Sequence, residues 1–373
     1  MKLLIHYKFI GGRIAKTGLA VFITAFICHM LDWPAMFAVI TAIVTIEPTV
    51  ADSIRKAYVR FPAAAIGAGF AVLFTFLFGD SPYSYASVSL ATIIACHKLK
   101  LHDGMLVATL TGVAMISTVQ DHYLASFFIR LGTTTTGIVV STAVNFFVMP
   151  PNYSKSIMSS IHSLYRRSGD ILHKRGLEIF HLEVYDKNLR TEFQRLIKDI
   201  EKTETLCNYQ KAEYKYHRFS RDDMRDFHYE YKKLTILRQI IYHVGNLIFL
   251  PPSQIELEKN KQKFAISVLD DLKDSLYDPG FLITESHHQK ISEVTQWFIK
   301  QKQQNPAGGL KPRTHHHVQP ETAILYEILS VHDLIEELNH IQTLEIKHRR
   351  LLKSRPMKDS YKGKAAEEQE MEK

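Results

Sequence analysis

The chain has 373 residues, with 46 Lys and Arg against 38 Asp and Glu (formal charge +8), 46% hydrophobic residues and three cysteines. Residues 1–150 hold 16 charged side chains and residues 151–373 hold 68, each part at net +4, so an apolar half and a polar half are built for two solvents. Positive charge spread this evenly argues against a nucleic-acid arm, and Cys28, Cys96 and Cys207 lack the CxxC spacing of a zinc site or a disulfide framework.

At the start, Lys2, Lys8, Arg13 and Lys16 precede an apolar run, as in a secretory signal. No small-residue cleavage site follows and further apolar segments do, which makes the run a retained first span. Six apolar segments follow one another at roughly 15–31, 33–48, 59–78, 82–97, 104–119 and 123–149. Several are near the short end of the ~17–25 residues that a spanning helix needs. Basic residues gather before segment 1, between segments 2 and 3 (Arg55, Lys56, Arg60), between 4 and 5 (Lys98, Lys100) and after 6 (Lys155, Arg166, Arg167). The alternate loops hold Asp32, Asp80 and Asp121 and no basic residue. The positive-inside rule therefore predicts both termini in the cytoplasm.

Segment 6 carries a full charge, Arg130, and from it Thr133, Gly137, Ser141 and Asn145 recur every fourth residue, a small polar stripe on one helical face. Shifting the chain by 70 positions matches Ala38 to Ala108, Thr41 to Thr111, Ile46 to Ile116, Arg60 to Arg130 and Gly67 to Gly137. Segments 1–3 then read as a copy of segments 4–6, and an odd number of spans per copy inverts the second, a plan common among secondary transporters. The small residues at four-residue spacing also suit close helix packing. An intramembrane arginine is a functional candidate, with snorkelling to the headgroups as the alternative. Glu47 and Asp52 flank Pro48; either carries a coupling proton, or Asp52 pairs with Lys56 one turn on.

The runs WPAMFAVITAIVTIEPTVADSIRKAYVRFPAAAIGAGFAVL and RLGTTTTGIVVSTAVNFFVMPPN resemble the aromatic acid exporter family of Gram-positive bacteria, related to fusaric-acid-resistance-type efflux proteins. The matching positions are Trp33, Pro34, Thr41, Pro48, Arg60, Gly67, Arg130, Gly137, Asn145, Pro150 and Pro151, within residues 1–152. The resemblance implies six spans, a homo-oligomer and efflux of aromatic carboxylates driven by an ion gradient.

From Tyr153 the pattern turns helical and amphipathic: residues 153–180, a long stretch at about 188–250, shorter helices at about 254–277 and 285–303, and a last helix from Pro320. These predict a cytoplasmic bundle over 153–353, and the Lys- and Glu-rich residues 354–373 read as a disordered tail. There is no P-loop and no GxSxG, HExxH or kinase set, so no enzyme is expected. His315, His316 and His317, with His287 and His288, are the one tempting cluster. Adjacent histidines on a loop are more often solvated than metal-bound, and neither metal nor cofactor is assigned. Tyr209, Tyr214, Tyr216 and Tyr231 read as an amphipathic face.

The expectation is an all-α protein, a six-span 3+3 inverted repeat followed by a helical bundle, exporting aromatic or related organic anions across the plasma membrane. Arg130 and Arg60 attract the carboxylate, Thr133, Thr136, Ser141 and Asn145 donate hydrogen bonds, and Glu47 or Asp52 couples protons. Two rivals use the same residues differently: a passive anion channel, and a membrane-anchored scaffold or sensor without transport.

Overall fold

The computed structural model describes residues 12–117, 123–148, 152–180, 188–250, 258–304 and 320–353. Lys2, Lys8, Asp121, Pro150, Pro151, His315, His316, His317 and the tail 354–373 lie outside them. Twelve α-helices and no strand occur among the described residues: α1 (Gly12–Met30), α2 (Ala35–Thr45), α3 (Val50–Phe78), α4 (Pro82–Lys98), α5 (His102–Ile116), α6 (Tyr123–Phe147), α7 (Ser154–Ile179), α8 (Leu189–Glu213), α9 (Arg221–Phe249), α10 (Lys259–Tyr277), α11 (Glu285–Gln304) and α12 (Pro320–Lys353). They fall into two compact units, Met1–Tyr153 with Asn208–Phe219, and Ser154–Cys207 with Ser220–Lys373.

In the first unit the breaks between helices are residue-specific. Asp32 (φ 51°) and Pro34 separate α1 from α2, Gly79 (φ 66°) ends α3, and Lys100 (φ 57°) turns α4 into α5. Thr49 caps α3, its hydroxyl accepting from the Asp52 amide at 3.0 Å. Large apolar side chains point outward, including Phe22, Phe26, Phe76, Leu106 and Leu124, while Ala, Thr, Ser and Gly fill the interior. That reverses the soluble pattern and suits a lipid surround. α1, α3 and α6 are long and apolar enough to cross a membrane; α2 and α5 are apolar but shorter. At ~1.5 Å per residue α2 rises only ~17 Å, little over half the ~30 Å hydrocarbon thickness. The segment read as 33–48 shrinks so far because Pro34 starts the helix and the extended residues from Ile46 end it.

Two close backbone approaches hold these helices together. A Cβ at Gly67 would lie 2.6 Å from the Ala108 carbonyl oxygen, joining α3 to α5, and a Cβ at Gly137 would overlap the Ala38 carbonyl oxygen, joining α6 to α2. The 70-residue shift exchanges these two contacts, since it maps Gly67 onto Gly137 and Ala38 onto Ala108.

The second unit is a helical bundle in which α7 packs on α9 and α10, and α12 on α9, α10 and α11. Its core is the apolar ladder of α9 (Leu237, Ile240, Val244, Leu247) against that of α12 (Ile328, Val331, Ile335, Leu338) and α7 (Leu164, Ile171, Leu172). Arg175 is buried inside it, donating to Glu178 at 2.7 Å and to the Leu247 carbonyl at 2.9 Å. His287 and His332 are also buried, and burial holds both imidazoles below the ordinary histidine pKa, so both are neutral at pH 7. The stretch predicted at 188–250 is two helices. It breaks before Ser220, whose hydroxyl accepts from the Asp223 amide at 3.0 Å and starts α9 anew.

Candidate anion site

The charge inside α6 is enclosed. Arg130 is 3% exposed, and its guanidinium carbon lies 4.4 Å from the centre of the Phe37 ring on α2. Neither terminal nitrogen has a hydrogen-bond partner, and no carboxylate pairs with it among the described residues. Two residues on, Gly132 lets α6 pass close to Trp33: a Cβ there would lie 2.6 Å from that ring. The hydroxyls of Thr133 and Thr134 both donate back to the Arg130 carbonyl at 2.9 Å. Thr136 donates to the Gly132 carbonyl at 2.9 Å and Ser141 to that of Ile138 at 3.0 Å. Such back-bonding satisfies a hydroxyl donor in an apolar helix and leaves its oxygen free to accept.

Arg60, on α3, is held quite differently. It donates to the Glu47 carboxylate at 2.8 Å, to the Val44 carbonyl at 3.0 Å and to the Asp103 carbonyl at 3.4 Å. Glu47 also receives Lys56 at 3.0 Å. Lys56 is therefore not the partner of Asp52, which takes Arg55 at 3.0 Å and the Thr49 hydroxyl at 3.0 Å at the helix start. Helical spacing favours Asp52 for Lys56, but Glu47, brought in by the bent residues 48–49 ahead of α3, takes it instead.

Asn145 is the junction of the same end of the unit. Its amide nitrogen donates to the Ser53 hydroxyl at 2.8 Å and the Glu47 carbonyl at 3.1 Å, and its side-chain oxygen accepts from Lys16 at 2.9 Å. Close by in sequence, the Val50 amide donates to Glu213 at 2.8 Å, and Glu213 lies 2.9 Å from His217, which contacts the Phe146 carbonyl at 3.0 Å. Tyr153 completes this end, its hydroxyl on the Pro48 carbonyl at 2.8 Å; burial pushes its pKa up to about 12, so the phenol stays a donor.

The structure thus separates the residues singled out by sequence. Arg60, Glu47, Asp52 and Asn145 meet at one end, Arg130 stands apart with Phe37, and Thr133, Thr136 and Ser141 lie along α6 between Arg130 and Asn145. Sequence reasoning missed Lys16, Phe37, Glu213 and His217. Lys16 carried a signal, a charge inside α1 directly ahead of its apolar run; Glu213 and His217 carried none, lying far along the polar half. A cavity of about 600 Å³ on the same unit, lined by Tyr58, Phe61, Ile138, Val139 and Phe147 among others, has apolar walls with no charged group.

Residues 8–148 match the family model described as aromatic acid exporter family member 1. A UPF0421 protein of Bacillus cereus is 41% identical over 336 residues, 90% of this chain and 94% of its own. UPF0421 proteins of Oceanobacillus iheyensis and Staphylococcus saprophyticus are 39% and 36% identical, over 88% and 87% of this chain and 95% and 97% of theirs. With its apolar helices, the first half defines a membrane protein of the aromatic acid exporter family. Over nearly its whole length the chain belongs to the UPF0421 family.

Proposed function

We propose that this protein is a secondary transporter, not an enzyme, that exports aromatic carboxylates or related organic anions across the plasma membrane. In this reading α1–α6 are six spans in a 3+3 inverted repeat, both termini are cytoplasmic, and the protein works as a homo-oligomer. The exchanged contacts Gly67–Ala108 and Gly137–Ala38 support the repeat.

The observation that carries the reading is Arg130, a buried cation with neither terminal nitrogen bonded. Arg130 lies about two turns inside α6, where its cost is a share of the ~2.5–3.5 kcal/mol of an arginine at the bilayer centre, and a cation–π contact returns only ~0.5–2 kcal/mol. An anion supplies the rest. A carboxylate fits the guanidinium fork with two charge-assisted bonds, and an aromatic ring on that carboxylate meets Phe37 edge-on or offset. The hydroxyls of Thr133, Thr136 and Ser141, once turned from their own backbone carbonyls, donate to the anion along α6 toward Asn145 and Arg60, which with Glu47 and Lys16 form a latched cytoplasmic end. Loading from the cytoplasm opens that latch. The membrane potential then expels an anion with ~2.3 kcal/mol per charge per 100 mV. Glu47, released from Arg60, is the proton-coupling candidate; Asp52 serves the start of α3.

The test is efflux of labelled hydroxybenzoate from proteoliposomes, wild type against Arg130→Ala. The expected result is concentrative efflux that the variant lacks. Flux without uphill accumulation would make the protein a channel, and no flux of any organic anion under imposed proton gradients and potentials sinks the proposal.

A further inference from the structure

The second unit contains a histidine cluster that anion transport does not use. Asp271 of α10, His287 and His288 of α11, and His332 and Glu336 of α12 meet where these helices pack. His332 and Glu336 are four residues apart on one face of α12, with His332 Nε2 3.4 Å from Glu336 Oε1. His288 Nδ1 lies 3.6 Å from the same oxygen, and one ligand atom from each of the three residues falls within 4.8 Å of the others. Two ligands bound at ~2.0–2.2 Å to a tetrahedral zinc stand ~3.4 Å apart. The two separations to the shared Glu336 oxygen match that spacing.

The hydrogen bonds behind the cluster fix which nitrogen faces it. Asp271 is held by Lys290 at 2.7 Å and lies 3.2 Å from His287 Nδ1. A carboxylate only accepts, so His287 carries its proton on Nδ1 and offers a lone pair on Nε2. That lone pair faces His332 Nδ1 at 3.2 Å, which must then be the protonated nitrogen of His332. His332 Nε2 is left as a bare lone pair 3.4 Å from a carboxylate oxygen. Two acceptors at 3.4 Å repel, and a cation between them reverses the sign. A carboxylate relay behind a histidine is also how metal sites set the tautomer and basicity of their ligands.

We propose that His288, His332 and Glu336 bind a divalent transition metal of the zinc class. His287 is a positioning residue that acts through His332. His287 and His332 are buried while the side chains of His288 and Glu336 are 45% and 49% exposed, so water takes the fourth position and the ion exchanges with solvent. Two imidazole donors favour zinc and its neighbours over the hard cations, which carboxylate and water alone would suit. An ion here ties the start of α11 to the middle of α12, a metal-dependent clamp within the bundle.

Tag-free full-length protein in detergent, stripped with chelator, is titrated with Zn(II) and with Co(II) as the spectroscopic probe. One ion per chain is expected, with the intense visible bands of four-coordinate Co(II). His288→Ala and Glu336→Gln, both at exposed positions that leave the core intact, each abolish those bands. His287→Gln keeps the ligands but weakens binding by about 10–100-fold. Replacing His315, His316 and His317 together by alanine changes nothing. Stoichiometric binding that survives Glu336→Gln and His288→Ala, binding that follows the three loop histidines, or no retained metal would each overturn the proposal.

Discussion

Arg60 and Arg130 align under the 70-position shift, yet one is fully paired and the other is not. Arg60 has Glu47 and two carbonyls; Arg130 has a ring and no hydrogen bond at either terminal nitrogen. The repeat explains the difference residue by residue. Under the shift Glu47 falls on Ser117, so nothing equivalent to that counter-ion is offered to Arg130. Meanwhile Ala63, Ala64, Ile66 and Ala71 correspond to Thr133, Thr134, Thr136 and Ser141, so the second copy carries hydroxyls there. One copy closes on itself as structure, and the other keeps a cation in want of an anion.

The strongest way to break this comparison is to remove each arginine and read stability and flux together. Arg60→Ala strands Glu47 beside Lys56 alone and orphans the Val44 carbonyl. Breaking a buried pair costs ~3–5 kcal/mol, so a large drop in unfolding temperature in detergent is expected, partly restored by Glu47→Gln in the same chain. Arg130→Ala behaves the opposite way. Efflux falls about 100-fold, equivalent to ~2.7 kcal/mol, while the unfolding temperature stays level or rises, because an unpaired buried charge has gone. If Arg130→Ala destabilises as much as Arg60→Ala, Arg130 has an internal partner and is structural.

A gain-of-charge variant sharpens the comparison further. Ser117→Glu restores in the second copy what Glu47 does in the first, provided that the repeat is real. A new charged hydrogen bond to Arg130 adds ~1.5–3 kcal/mol, and the same bond competes with substrate. Stability up with efflux down is the expected pair of outcomes; an unchanged Tm would show that position 117 does not meet Arg130.

What was legible in the sequence follows from the range of the interaction. Apolar runs set α1, α3 and α6, and a charge inside one of them marked Arg130, because both are local. The 70-residue shift paired Arg60 with Arg130 but left their roles alike, since the partners of Arg60 come from α2 and α5 and the missing partner of Arg130 is visible only once the helices pack. The break between α8 and α9 was written locally, in Ser220 followed by Asp222 and Asp223, yet the helical periodicity on either side concealed it. His332 and Glu336 were equally silent; only packing α11 on α12 brings them to His288.

The smallest predicted effect concerns Glu213, 163 residues from the amide that it accepts. The Val50 amide is among the first of α3, which has no intrahelical acceptor and sits at the positive end of the helix dipole. Glu213 is fully buried against it, so the carboxylate answers both the orphan donor and the dipole. Glu213→Ala removes both and is expected to cost ~1–2 kcal/mol, like the loss of a helix cap. Glu213→Gln keeps an acceptor oxygen but no charge, and is expected to lose only the dipole share, ~0.3–1 kcal/mol. Chemical denaturation of the two variants separates hydrogen bond from charge, and initial efflux rates of the same samples show whether this contact belongs to the latch: a faster Glu213→Gln transporter places it there, and an unchanged rate leaves it as a cap for α3.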